Sequence, residues 1–93
     1  MKMGWFMSEL KKQLQSLLDA AELSGLSDQD IIIAKEFLEY NEAGLCFDHI
    51  ITQLYEYDIE INRDTYLLIG DIGSKFKLPI ESYSFVKELV KLK

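Results

Sequence analysis

Apolar residues recur at helical spacing along this chain, and that periodicity constrains its fold more than any other feature. Leu10, Leu14, Leu17, Leu18 and Ala21 follow at intervals of four, three, one and three. That spacing sets all five on one stripe of a helix from about Met7 to Leu23. Ser24-Gly25 ends it, because glycine suits the left-handed conformation that closes a helix. Ser27 is a good N-cap, and Asp28 and Asp30 suit the positive end of the next helix dipole. The second helix carries Ile31, Ile32, Ile33, Ala34, Phe37 and Leu38 and runs to Tyr40. The isoleucine triplet alone could read as a buried strand. The cap and the helix formers from Ala34 to Glu39 favour a helix.

Asn41 is expected to cap a third helix, from Glu42 to about Tyr57. Its apolar stripe is Phe47, Ile50, Ile51 and Leu54, with Asp48, Gln53 and Glu56 off it. Asp58 to Ile61 alternates polar and apolar, but so short a stretch without a partner strand reads as a connecting loop. Asn62 caps a fourth helix with Tyr66, Ile69, Gly73 and Phe76 on one side. Gly70 and Gly73 each weaken it by roughly 1 kcal/mol relative to Ala, so another helix is expected to approach closely there. Lys77-Leu78-Pro79 is a break, since proline cannot continue a helix interior. A last helix, from about Glu81 to Leu92, buries Tyr83, Val86, Leu89 and Val90. Five short helices with short links predict one compact all-α domain over residues 1–93, orthogonal or bundle-like. Residues 1–6 are expected to fray, with Met3 or Met7 as an alternative start.

The chain is 93 residues long and 48% apolar, enough for one domain with one core but a thin stability margin. Cys46 is the single cysteine, so no disulfide can form within the chain, which fits a reducing cytoplasm. The first residues lack the apolar core and cleavage site of a signal peptide, and no stretch approaches the ~20 apolar residues of a membrane span. A cytoplasmic location without membrane attachment is the expectation.

Chemistry-bearing motifs are sparse. His49 is the single histidine and lies three residues from Cys46. A thiolate mechanism would also need an oxyanion site and an orienting group, which nothing in the sequence marks. A free cysteine is commonly a small core residue, and His49 reads as a surface or interface residue. Metal-ligand spacings are absent, so no metal or cofactor is expected. Gly70 to Lys75 superficially resembles a phosphate loop but lacks its spacing and sits in a helical pattern. No catalytic residue is assigned.

The acids are distributed unevenly. Between the consecutive bases Lys35 and Arg63 lie Glu36, Glu39, Glu42, Asp48, Glu56, Asp58 and Glu60, while the remainder of the chain is close to neutral. The net charge of −6 therefore resides in one segment. Such a charge disfavours nucleic acid and suits a basic protein surface. Acids near a helix C-terminus oppose the dipole, so local stability would not choose this placement. Tyr40, Tyr55 and Tyr57 are interleaved with them, with Tyr55 expected in the core. Tyrosine supplies contact area and carboxylates supply steering. The partner-binding candidates are Glu39, Tyr40, Glu42, Asp48, Glu56, Tyr57 and Asp58.

The stretch Glu36 to Ile50, leading into Leu54-Tyr55-Glu56-Tyr57-Asp58-Ile59, resembles the MafI family of bacterial immunity proteins. It is also similar to small helical immunity proteins of contact-dependent growth inhibition systems. The matching features are Glu42 and Gly44, then Asp48, then Leu54, Glu56, Asp58 and Ile59. Tyr66, Ile69, Gly70 and Gly73 follow, and Tyr83, Phe85, Leu89 and Val90 close the likeness, which covers roughly Ile32 to Val90. Asp48 stands where the family often has glutamate, and Cys46 where a small residue is frequent. The resemblance implies a non-enzymatic protein that neutralises the C-terminal domain of a cognate toxin, such as an EndoU-like or other RNase. It fixes no contact residue. The alternative class is a helical regulatory or adaptor module, which would need a basic recognition helix.

Overall fold

A computed structural model describes residues 2–91, with side chains from Ser8 onward. Four α-helices follow in order: α1 (Lys2–Ser24), α2 (Asp28–Glu39), α3 (Ala43–Glu56) and α4 (Arg63–Lys75). The chain then finishes in two 3-10 turns, Ile80–Ser82 and Ser84–Leu89. Helix α1 lies against α2, α3 and α4, the α2–α3 pairing is the most extensive, and the C-terminal turns rest on α3 and α4. The domain is all-α, as its periodicity predicts.

The α1 stripe forms the centre of the core. Leu10, Leu14, Leu17, Leu18 and Ala21 are each at most 1% exposed. Helix α1 begins at Lys2 rather than Met7. Of residues 1–6, expected to fray, Met1 lies outside the described residues and the backbone of residues 2–6 is part of α1. On α2, Ile31, Ala34 and Leu38 are buried, Ile33 and Phe37 are half-buried, and Ile32 is 52% exposed. Three consecutive helical residues span about 200° of arc, wider than one buried stripe, so the triplet cannot all face inward.

All four helices stop in the same way. A left-handed residue follows each C-cap: Gly25 (φ 117°), Asn41 (62°), Asp58 (52°) and Lys77 (59°). The next N–H then donates to the helical carbonyl five residues back: Leu26 to Ala21 at 3.0 Å, Glu42 to Phe37 at 2.8 Å, Ile59 to Leu54 at 2.9 Å and Leu78 to Gly73 at 3.1 Å. Sequence reasoning places Gly25 here and misplaces Asn41. Asparagine tolerates the left-handed region, so Asn41 closes α2 rather than capping α3. The N-cap of α3 is Glu42, whose side chain makes no capping bond. The other two caps stand where expected: Ser27 Oγ accepts from the Asp30 N–H at 3.2 Å, and Asn62 Oδ1 from the Thr65 N–H at 2.8 Å.

The C-terminal segment departs most from expectation. It is not an α-helix, because Pro79 sets an extended entry and Tyr83, at φ −139°, interrupts the turn that follows. Val86 and Leu89 are three apart, which a 3-10 turn places one above the other, and both are buried. Tyr83 and Val90 are only half-buried. Val90 pairs with Ile61 in an isolated parallel bridge. The Ile61 N–H donates to Leu89 at 2.9 Å, and the Lys91 N–H to Ile61 at 3.2 Å. The alternating Asp58–Ile61 stretch is a connection, as expected, but its end has a partner 29 residues later in Val90. The two α4 glycines also differ. A Cβ on Gly73 would lie 2.5 Å from the Tyr83 ring, whereas one on Gly70 would meet nothing within 4 Å. Close approach is real at Gly73, is made by a tyrosine on a turn rather than a helix, and is absent at Gly70.

Candidate functional site: the acidic outer face of α3

Helix α3 buries Ala43, Cys46, Phe47, Ile50, Ile51 and Leu54 on one side. Leu45, Asp48, Thr52, Tyr55 and Glu56 are exposed on the other. Intervals of three and four align Leu45, Asp48, Thr52 and Tyr55 along one outer line. All seven partner-binding candidates are exposed, Tyr40 at 77% and Tyr57 at 63%. The structure does not gather them in one spot. Glu39, Tyr40 and Glu42 surround the α2–α3 turn, Glu56, Tyr57 and Asp58 surround the α3 exit, and Asp48 stands between. At 1.5 Å rise per residue the two groups are roughly 20 Å apart, a span that one protein interface covers.

None of the seven side chains forms a hydrogen bond or ion pair among the described residues. Glu39 and Glu56 are the last residues of α2 and α3, at the negative ends of those dipoles, with no basic residue in either last turn. Asp58 has a backbone duty as well, as the left-handed residue that closes α3. Glu60 extends the acidic exit but is engaged at the surface by Lys91 at 3.5 Å.

Tyr55 is not in the core. It is 42% exposed, its ring meets the edge of Phe85 at 5.0 Å between centroids, and its hydroxyl donates to Glu88 Oε1 at 3.0 Å. The bond to Glu88 and the charge of that carboxylate, with smaller contributions from desolvation and Asp58, hold the phenol above its ordinary pKa. Asp48 borders a hollow of about 270 Å³ lined by Gly44, Phe47, Ile51, Phe76 and Leu78. One turn further along α3, Thr52, Tyr55 and Glu56 face Phe85 across a second hollow of about 280 Å³. The far wall of both comes from residues after or at the end of α4, which helical periodicity does not place beside α3. The face therefore has apolar recesses between its charged ends.

His49 is not a plain surface residue either. Its Nε2 lies 3.0 Å from Asp30 Oδ1, and Gln53 Nε2 donates to the same oxygen at 3.1 Å. Ser27 Oγ donates to Asp30 Oδ2 at 3.1 Å, and the His49 ring meets Phe37 edge-on at 6.1 Å. Asp30 is 7% exposed and satisfied on both oxygens. The cluster pins α2 to α3 and so fixes the frame that presents the acidic face. The sequence signal for it was the four-residue spacing of His49 and Gln53, which places both on one side of α3. Cys46 is fully buried, and burial pushes its thiol up to about 11. A thiol held protonated is a poor nucleophile, and His49 is turned to Asp30 instead. Among the described residues, no group of three or more His, Cys, Asp or Glu side chains converges to hold a metal ion, and no helix is long and apolar enough to cross a membrane. No protein-family model, curated protein or solved structure matches the chain.

Proposed function

We propose that this protein neutralises a toxin by covering a basic surface of it with the outer face of α3, as the likeness to MafI-type immunity proteins implies. The carrying observation is that seven exposed acids and tyrosines at and between the ends of α3 have no side-chain partner among the described residues. Unpaired carboxylates at helix C-termini raise the energy of the free protein slightly, and a cationic partner relieves that cost. The apolar hollows beside Asp48 and Tyr55 would receive side chains flanking the partner's basic residues, giving contact area that charge alone does not. The partner in this reading is the C-terminal domain of a nuclease toxin, EndoU-like or another RNase, whose substrate cleft is basic, met in the cytoplasm.

Glu42→Lys and Asp58→Lys test it from opposite ends of α3. Each should weaken binding to the cognate toxin domain by about ten-fold, and the two together by about a hundred-fold, since distant sites add. Calorimetric titration reads the affinity, and thermal melting confirms folding. Parent-like affinity in the double variant would refute the acidic-face mechanism. A parent protein that does not bind the toxin domain at all would refute the immunity role itself.

A further inference from the structure

A further cleft lies in the part of the molecule that carries the opposite charge. Residues 63–93 hold six bases and four acids, in contrast to the base-free segment that precedes them. Between the first turn of α4 and the last 3-10 turn is a cleft of about 380 Å³, lined by Arg63, Tyr66, Leu67, Lys87 and Val90. Its size falls within the range of small-molecule sites. Its composition is two-part. Tyr66, Leu67 and Val90 form an apolar wall, with Leu67 53% exposed. Arg63 and Lys87 are two exposed cations, one from each side of the cleft.

Among the described residues, neither cation is in an ion pair or side-chain hydrogen bond, and the Tyr66 hydroxyl has no partner. The acids that could have neutralised the cleft are employed elsewhere or do not line it. Glu88 accepts from Tyr55, Glu60 pairs with Lys91, and Asp64 is outside the lining. The cleft also opens at the N-terminal turn of α4, the positive end of a thirteen-residue helix dipole. Two cations unpaired among the described residues and a positive helix end around one apolar recess favour a ligand with a single anionic head on an apolar body.

The geometry points to a binding site for a small amphipathic carboxylate, its head between Arg63 and Lys87 and its chain against Tyr66, Leu67 and Val90. This site is independent of the acidic face and stands or falls without it. Octanoate is the probe, titrated into the full chain while backbone amide NMR shifts are followed. Saturable shifts are expected at Arg63–Leu67 and Lys87–Val90, with a dissociation constant at or below about 1 mM. Octylamine and octanol should bind at least about ten-fold more weakly, as should octanoate to the Arg63→Gln/Lys87→Gln double variant. Leu67→Ser, which keeps both charges, should weaken octanoate several-fold. The site is overturned if octanol binds as well as octanoate, or if inorganic phosphate gives the same shifts at the same concentration. It is equally overturned by an unchanged affinity in a folded double variant, or by the absence of saturable shifts at these residues.

Discussion

Where α2 meets α3, one nearly buried carboxylate gathers a serine, a histidine and a glutamine from two helices joined by a short turn. Where the C-terminal segment meets α4, a tyrosine ring lies on a glycine, and a single backbone bridge ties Val90 to Ile61. The first region has directional polar bonds at its seam. The second depends on ring packing and one backbone bridge. The difference matches their surfaces. The pinned hairpin presents the acids that are unpaired among the described residues, while the other half carries the unpaired cations Arg63 and Lys87. A binding face gains affinity when its geometry is fixed beforehand.

The contrast can be broken most strongly at Asp30. Asp30→Ala leaves His49 and Gln53 without their shared acceptor and removes the side chain that Ser27 meets, and should cost about 2–3 kcal/mol by urea unfolding. Asp30→Asn, which keeps an acceptor oxygen, should recover part of that. On the other side, Gly73→Ala forces the Tyr83 ring away and should cost about 2 kcal/mol. Its loss should appear first as faster hydrogen exchange at Ile61 and Lys91, with the α2–α3 seam still protected. A matched response of both regions to either change would show that the two halves are not separable.

Smaller effects sharpen the same comparison. The Cys46 thiol, on the hairpin side of the core, titrates at about 11 when folded against an ordinary 9.0. Above pH 9 the unfolded chain sheds a proton that the folded chain keeps. Stability from this group is therefore complete below about pH 9 and falls as pH rises toward 11, by roughly 1 kcal/mol at pH 10. Cys46→Ala, compared with the parent by unfolding from pH 8 to 10, should lack that decline. Gly70→Ala, in the same helix as Gly73 but facing open space, should stabilise by about 0.5–1 kcal/mol in thermal melting. Opposite signs for the two glycines would confirm that only one marks a close approach.

The four α-helices were legible because each announces itself locally, through the leucine stripe of α1, the caps at Ser27 and Asn62, and the apolar spacing of α3. The seven exposed candidates were legible as types and as two groups, since a helix from Glu42 to about Tyr57 already sets Glu39, Tyr40 and Glu42 at one end and Glu56, Tyr57 and Asp58 at the other; the apolar hollows between them were not. Three helix ends were read in the right place, but the residues that close them were hidden, because Asn41, Asp58 and Lys77 adopt a left-handed conformation that glycine ordinarily signals. The C-terminal turns and the Ile61–Val90 bridge were hidden because nothing local distinguishes Glu81–Leu92 from a short amphipathic helix. Tyr55 was misplaced for a related reason. Its neighbours Phe85 and Glu88 come from that same unreadable segment, and they hold it at the surface instead of in the core.

Amide hydrogen exchange of the free protein and of its complex with the cognate toxin domain tests the central claim most directly. Slowed exchange should be confined to the α2–α3 turn, the exposed line of α3 and the exit through Asp58. Protection confined to α4 and residues 77–91, with the α3 face exchanging as in the free protein, would contradict it.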